Sequence, residues 1–129
     1  MSFLKNMFNS SDGTNSGEKK INWNELTDLA QLEEIIAISN EMPVAIFKHS
    51  TRCSVSRMAL KQFENEFKSA DKVTPYFLDL IAHRDISNEI STRFGVTHQS
   101  PQLILIKEGK AIYNVSHSDI NAEVLGTKA

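Results

Sequence analysis

Pro43-Val-Ala-Ile-Phe-Lys-His-Ser-Thr-Arg-Cys-Ser-Val-Ser56 compresses a strand, a turn and the start of a helix into one short segment. The apolar run Val44 to Phe47 reads as a strand buried on both faces, as in a parallel sheet covered by helices. Beyond the turn, Val55, Ala59, Phe63 and Phe67 recur every four residues, Met58 widens the stripe, and Arg57, Lys61, Gln62, Glu64 and Glu66 fall elsewhere. That spacing predicts an amphipathic helix of about four turns, with Phe63 and Phe67 in the core. Cys53, the only cysteine of the chain, thus stands at a strand-to-helix turn. Unpaired backbone N–H groups and the positive end of a helix dipole favour a thiolate there.

Upstream, Asp28 reads as an N-cap with Gln31 three residues on, followed by Leu29, Leu32, Ile35 and Ile36 at helical spacing and an end near Ser39-Asn40. A small first strand is expected around Ile21-Asn-Trp23. Downstream, Val73 to Leu80 suits a second strand, which Pro75 pushes towards an edge or the strand's start. Ile86, Ile90 and Phe94 mark a helix stopped by Gly95. After the turn Thr97-His-Gln-Ser100, the segments Pro101 to Lys107 and Lys110 to Ser116 form an antiparallel hairpin around Glu108-Gly109. Ser118 then caps a last helix carrying Ile120, Val124 and Leu125.

A length of 129 residues with 40% hydrophobic content suits one domain that needs no covalent staples. Residues 1–20 read as a flexible N-terminal segment and 21–129 as the domain. Within that segment Phe3, Leu4, Met7 and Phe8 are read as a frayed terminus rather than an amphipathic anchor. A net charge of −2 gives no electrostatic reason to expect nucleic acid or an anionic membrane. There is no secretory apolar region and no stretch near the roughly 20 apolar residues of a membrane helix, so a cytoplasmic protein with a reduced thiol is expected.

The chemistry follows from Cys53-Ser-Val-Ser56, a C-x-x-C spacing with serine in the second place. A dithiol site resolves a mixed disulfide with its own second cysteine; here another molecule's thiol must do so. Arg52, with the more distant Lys48 and His49, adds positive potential that favours the thiolate, and Ser56 Oγ is expected to donate to it. His49 is weighed evenly between this role and simply finishing the strand against a backbone carbonyl, while His98 reads as a solvated turn residue. His83 and His117 have no ligand-like spacing, so no metal site is expected and the exchange needs no bound cofactor.

The order of elements gives a mixed sheet with helices on its faces: an α/β, thioredoxin-like three-layer α/β/α sandwich. Within it, Phe47-Lys-His-Ser-Thr-Arg-Cys-Ser-Val-Ser-Arg-Met-Ala-Leu60 and Phe94-Gly-Val-x-His-x-Ser-Pro-Gln102 resemble the YtxJ-type monothiol bacilliredoxins, a likeness that runs from about Trp23 to Val124. The resemblance implies that Cys53 removes bacillithiol from protein mixed disulfides. Bacillithiolated proteins are then the partners, and bacillithiol is the thiol co-substrate. It also implies that Ser100-Pro101 is a cis-proline loop beside Cys53 that binds the substrate chain. Only about 5–6% of X-Pro bonds in folded proteins are cis, so that expectation rests on the resemblance.

Other classes stay open on the residues alone. A monothiol iron–sulfur cluster carrier of the glutaredoxin type has Gly-Phe after its cysteine, where this chain has Ser54-Val55. A thiol peroxidase would match at Ser50 but lacks its upstream proline, replaced by Ile46. A thioredoxin-like binding module with an inert thiol is the third. A groove lined by Lys48, Arg52 and backbone groups would suit any acidic thiol, glutathione and coenzyme A included.

Overall fold

The computed structural model describes residues 21–129; the readings of residues 1–20 lie outside the described residues. In chain order the elements are β1 (Asn24–Glu25), α1 (Gln31–Ser39), β2 (Val44–His49), α2 (Ser54–Glu66), β3 (Thr74–Asp79), α3 (Arg84–Phe94), β4 (Gln102–Lys107), β5 (Lys110–Ser116), a 3-10 turn (His117–Asp119) and α4 (Ala122–Lys128). The five strands lie in the order β1-β3-β2-β4-β5. β3 runs parallel to β1 and β2, whereas β4 is antiparallel to β2 and β5. This is the mixed sheet of the thioredoxin-like fold.

β2 sits at the centre, and all six of its residues are buried. Strand alternation divides them between two cores. Val44 and Ile46 join Leu32 and Ile35 of α1 and Ile86 and Ile90 of α3, while Ala45 and Phe47 join Phe63 of α2 and Leu125 of α4. The second core is the aromatic one. Trp23 stacks on Phe63 at 5.9 Å between centroids, Phe63 stacks on Phe67 at 5.3 Å, and Phe47 packs at 5.6 Å from Phe63. The indole N–H of Trp23 donates to Glu64 Oε2 at 2.7 Å, so its polar edge is satisfied at the rim.

Several elements differ from the sequence reading for identifiable reasons. Asp28 is not the N-cap of α1: its Oδ1 accepts from Ala30 N–H and its own N–H donates to Gln31 Oε1, while the N-cap position falls to Ala30, whose side chain caps nothing. A tight turn intervenes, so α1 begins only at Gln31 and Leu29 is left exposed. The first strand is Asn24–Glu25 rather than Ile21–Trp23, whose Ile21 drops into the aromatic core instead. Pro75 lies near the start of β3, but β3 is an interior strand because β1 pairs along part of its outer side.

Val55 and Met58 do not pack in the core. They are 49% and 73% exposed and, with Ala59, Gln62, His117, Ser118 and Ile120, line an open cavity of about 210 Å³. Ser118 caps nothing; residues 117–119 form the 3-10 turn, and Asn121 Oδ1 caps α4 by accepting from the N–H groups of Glu123 and Val124. Gly95 ends α3 at φ 65°, and the hairpin turns through Glu108 and Gly109 at φ 52° and 76°, the left-handed pair a two-residue hairpin requires.

Phe63 touches most of the aromatic core, so Phe63→Ala is expected to lower the unfolding free energy by about 3–5 kcal/mol. Trp23, the single tryptophan, reports it: chemical denaturation followed by its emission should show the midpoint falling together with a red-shifted native spectrum.

Candidate active site

β2 ends at His49, and the chain turns through Ser50-Thr-Arg52 before α2 begins. Cys53 occupies the N-cap of α2 with extended backbone (φ −107°, ψ 123°) and is half-buried. The turn is stapled from several sides. Cys53 N–H donates to Ser50 O at 3.2 Å, Ser50 N–H donates to Ser56 Oγ at 3.0 Å, and Arg57 Nη1 donates to Thr51 O at 3.2 Å. The thiol is therefore carried on a braced turn, ahead of the unpaired N–H groups of the first helical turn. Arg52 is exposed beside it.

Ser56 is fully buried one turn into α2, and its hydroxyl serves groups other than the one expected. Its Oγ accepts from Ser50 N–H and lies 2.8 Å from His49 Nδ1, which ties it to the turn and to the end of β2. His49 finishes the strand as anticipated, but its ring meets Ser56 rather than a backbone carbonyl. Burial pulls the imidazole below its ordinary range; Asp79 opposes this and Arg57 assists it. Burial thus favours the neutral imidazole, which works against the positive potential the sequence reading gave His49.

Lys48 is corrected more sharply. Alternation along β2 turns it to the opposite face from His49, where it is fully buried and lines no groove. Its Nζ lies 2.8 Å from His98 Nδ1, and His98 Nδ1 is in turn 3.3 Å from Ser87 Oγ on α3. Burial, seconded by the Arg84 guanidinium, pulls the Lys48 ammonium down to about 8. Burial, then Lys48 and Arg84, also lower His98. His98 is exposed, as expected of a turn residue, but its ring is anchored from below.

The Ser100-Pro101 peptide is cis. Gln102, the next residue, pairs with Lys48, so the loop leaves the sheet at the end where β2 delivers Ser50 to Cys53. Pro101 O accepts from His117 N–H at 3.1 Å, and His117 shares the open cavity with Val55 of the first turn of α2. The Ser100-Pro101 loop and the start of α2 are thus joined through the 3-10 turn. Ser100 Oγ is buried and has no hydrogen-bond partner among the described residues.

With this geometry in place, a family model described as Monothiol bacilliredoxin BrxC matches residues 24–125. The chain belongs to the monothiol bacilliredoxin family. A solved structure presented as a candidate oxidoreductase with a thioredoxin fold is 32% identical to it, with a TM-score of 0.68, covering 80% of this chain and 89% of that one. The thioredoxin of Malassezia sympodialis (19% identity, TM-score 0.66, 85% and 90% covered) and that of Fasciola hepatica (20%, 0.62, 81% and 94%) share the fold. Family and neighbours together support a redox function of the thiol, that of a thiol–disulfide oxidoreductase. Among the described residues no helix is long and apolar enough to cross a membrane, and no group of three or more His, Cys, Asp or Glu residues is placed to hold a metal.

Three contributors to this bacilliredoxin site escaped the sequence reading. Arg57 falls outside the apolar stripe of α2, and its guanidinium holds the turn before Cys53. Ser87 and Gln102 are buried polar residues on α3 and β4 whose partners lie in the loop before Pro101. A basic residue at i+4 from the cysteine, and a glutamine opening an otherwise apolar strand, were the available signals.

The buried ammonium has a calculable signature. Below pH 8 both folded and unfolded chains carry the proton on Lys48, and the folded chain bears the cost of burying it. Between about 8 and 10.5 the folded chain releases it first, so stability rises with pH across that window, by at most roughly 3 kcal/mol. Urea midpoints measured from pH 7 to 10 should show this rise in the wild type. They should show it flattened, with a higher midpoint at pH 7, in Lys48→Met.

Proposed function

We propose that this protein removes bacillithiol from protein mixed disulfides by thiol–disulfide exchange at Cys53, in a reducing, cytoplasmic setting. The observation that carries the reading is the pair Cys53 and Ser56. A lone thiol stands at the start of α2, and the position a resolving thiol would need is filled by a buried serine committed to His49 and Ser50. Membership of the monothiol bacilliredoxin family supports bacillithiol as the small thiol.

The Cys53 thiolate attacks the bacillithiol sulfur of the mixed disulfide. The old S–S bond breaks, the substrate protein leaves as a thiolate, and bacillithiol remains joined to Cys53. A second bacillithiol thiolate then attacks its counterpart on Cys53, which releases oxidised bacillithiol and restores the enzyme. No electrons beyond those of the thiols are required, and no bound cofactor enters. Arg52 is the exposed cation at the thiol, and the backbone of Ser100 beside Pro101 is suited to pair with an extended substrate segment. Ser56 and His49 hold the turn that aims the thiol.

Intact-mass analysis after mixing the reduced protein with a bacillithiol-modified protein tests the reading. The bacillithiol mass should move onto Cys53 while the partner is released, faster than from glutathione- or coenzyme-A-modified versions, and Cys53→Ser should accept nothing. Equal transfer from all three donors would remove the bacillithiol preference. No transfer from any of them would discard the exchange reaction and favour an inert binding module or a cluster carrier.

A further inference from the structure

Two buried polar side chains on one face of the sheet reach into the loop that precedes Pro101. Lys48 of β2 and Gln102 of β4 are partners in the strand register, and neither is exposed. Gln102 Nε2 donates to Thr97 O at 3.0 Å, and its Oε1 accepts from Gln99 N–H at 3.3 Å. Lys48 Nζ meets His98 Nδ1 at 2.8 Å, with Ser87 Oγ behind it on α3. Thr97, His98 and Gln99 are thereby each tied to the sheet or to α3 immediately before Ser100-Pro101.

We propose that Lys48 is a positioning residue: acting through His98, it fixes the Thr97–Ser100 segment so that the Ser100 backbone is presented to the mixed disulfide at Cys53. The idea rests on the substrate-binding reading of Ser100-Pro101 given above. A buried ammonium is an expensive way to fill space, since an apolar side chain of similar length packs there without the desolvation cost. Lys48 also has no compensating carboxylate among the described ion pairs, which join Arg93 to Glu33 and Glu89. What it does have is one directed bond to an otherwise exposed ring. An ammonium has only donors, so His98 must accept at Nδ1 and carry its proton on Nε2, which sets the tautomer and the orientation of the ring. Arg84 lies close enough to influence both groups and disfavours a second charge on the ring.

The decisive experiment compares wild type, Lys48→Met, His98→Ala and the double variant in full-length protein by three readouts. These are amide hydrogen exchange across residues 97–100, the kinetics of bacillithiol transfer from a modified protein, and alkylation of Cys53 by iodoacetamide. Each single variant should exchange the Gln99 and Ser100 amides about ten-fold faster, and the double variant no faster than either, because the two residues act as one unit. KM for the modified protein should rise about ten-fold with kcat held within two-fold, and alkylation, which involves no substrate chain, should stay within two-fold. Loop exchange unchanged in Lys48→Met would overturn the proposal. So would effects that multiply in the double variant, or faster exchange spread over the whole domain. A wild type that transfers no small thiol would defeat the functional reading instead, and the exchange data would still decide whether Lys48 holds the loop.

Discussion

Everything in this domain hangs on β2 having water on neither face. Because alternate residues of one strand must bury on opposite sides, Val44 and Ile46 bind α1 and α3 to the sheet while Ala45 and Phe47 bind α2 and α4. The same alternation continues past the apolar run into Lys48 and His49, where it stops being about hydrophobic packing. One polar residue is sent to each side. His49 goes beneath the turn that carries Cys53, and Lys48 goes beneath the loop that carries Ser100 and Pro101. Both halves of the site are thus supported from a single strand end.

The division of polar work explains how a site with one thiol keeps its shape. In a dithiol site the second sulfur would itself link the helix to the turn when oxidised. Here Ser56 supplies a substitute that involves no sulfur, because its hydroxyl is held by Ser50 N–H and the His49 imidazole rather than by Cys53. The turn can therefore remain in place through the exchange cycle, and only the thiol need change.

The sequence made the architecture legible where periodicity and special residues act locally. The Val44–Phe47 run, the Gly95 stop and the Glu108-Gly109 turn each have a short-range cause and were read in place. It failed where a residue's fate depends on what lies across the sheet. Val55 and Met58 have helical spacing suited to a core, but the chain opposite them is the short 3-10 turn, which leaves a cavity instead. Lys48 and His49 look alike as basic residues after a strand, and only the alternation, counted from a buried residue, separates a buried brace from a partner of the active turn. The positions of Arg57, Ser87 and Gln102 depend on loops whose path no local pattern specifies.

Pro75 carries a consequence for how copies of the chain meet. β1 is register-paired with β3 only at Tyr76 and Phe77. Thr74 N–H points inward to Pro43 O, which places the backbone of the next residue on the outer side, where proline has no N–H and the Pro75 carbonyl is already taken by Asn24 Nδ2. An incoming strand would find neither a donor nor a free acceptor there. Pro75, the second residue of β3, thereby discourages strand addition at this corner of the sheet, where the short β1 stops pairing.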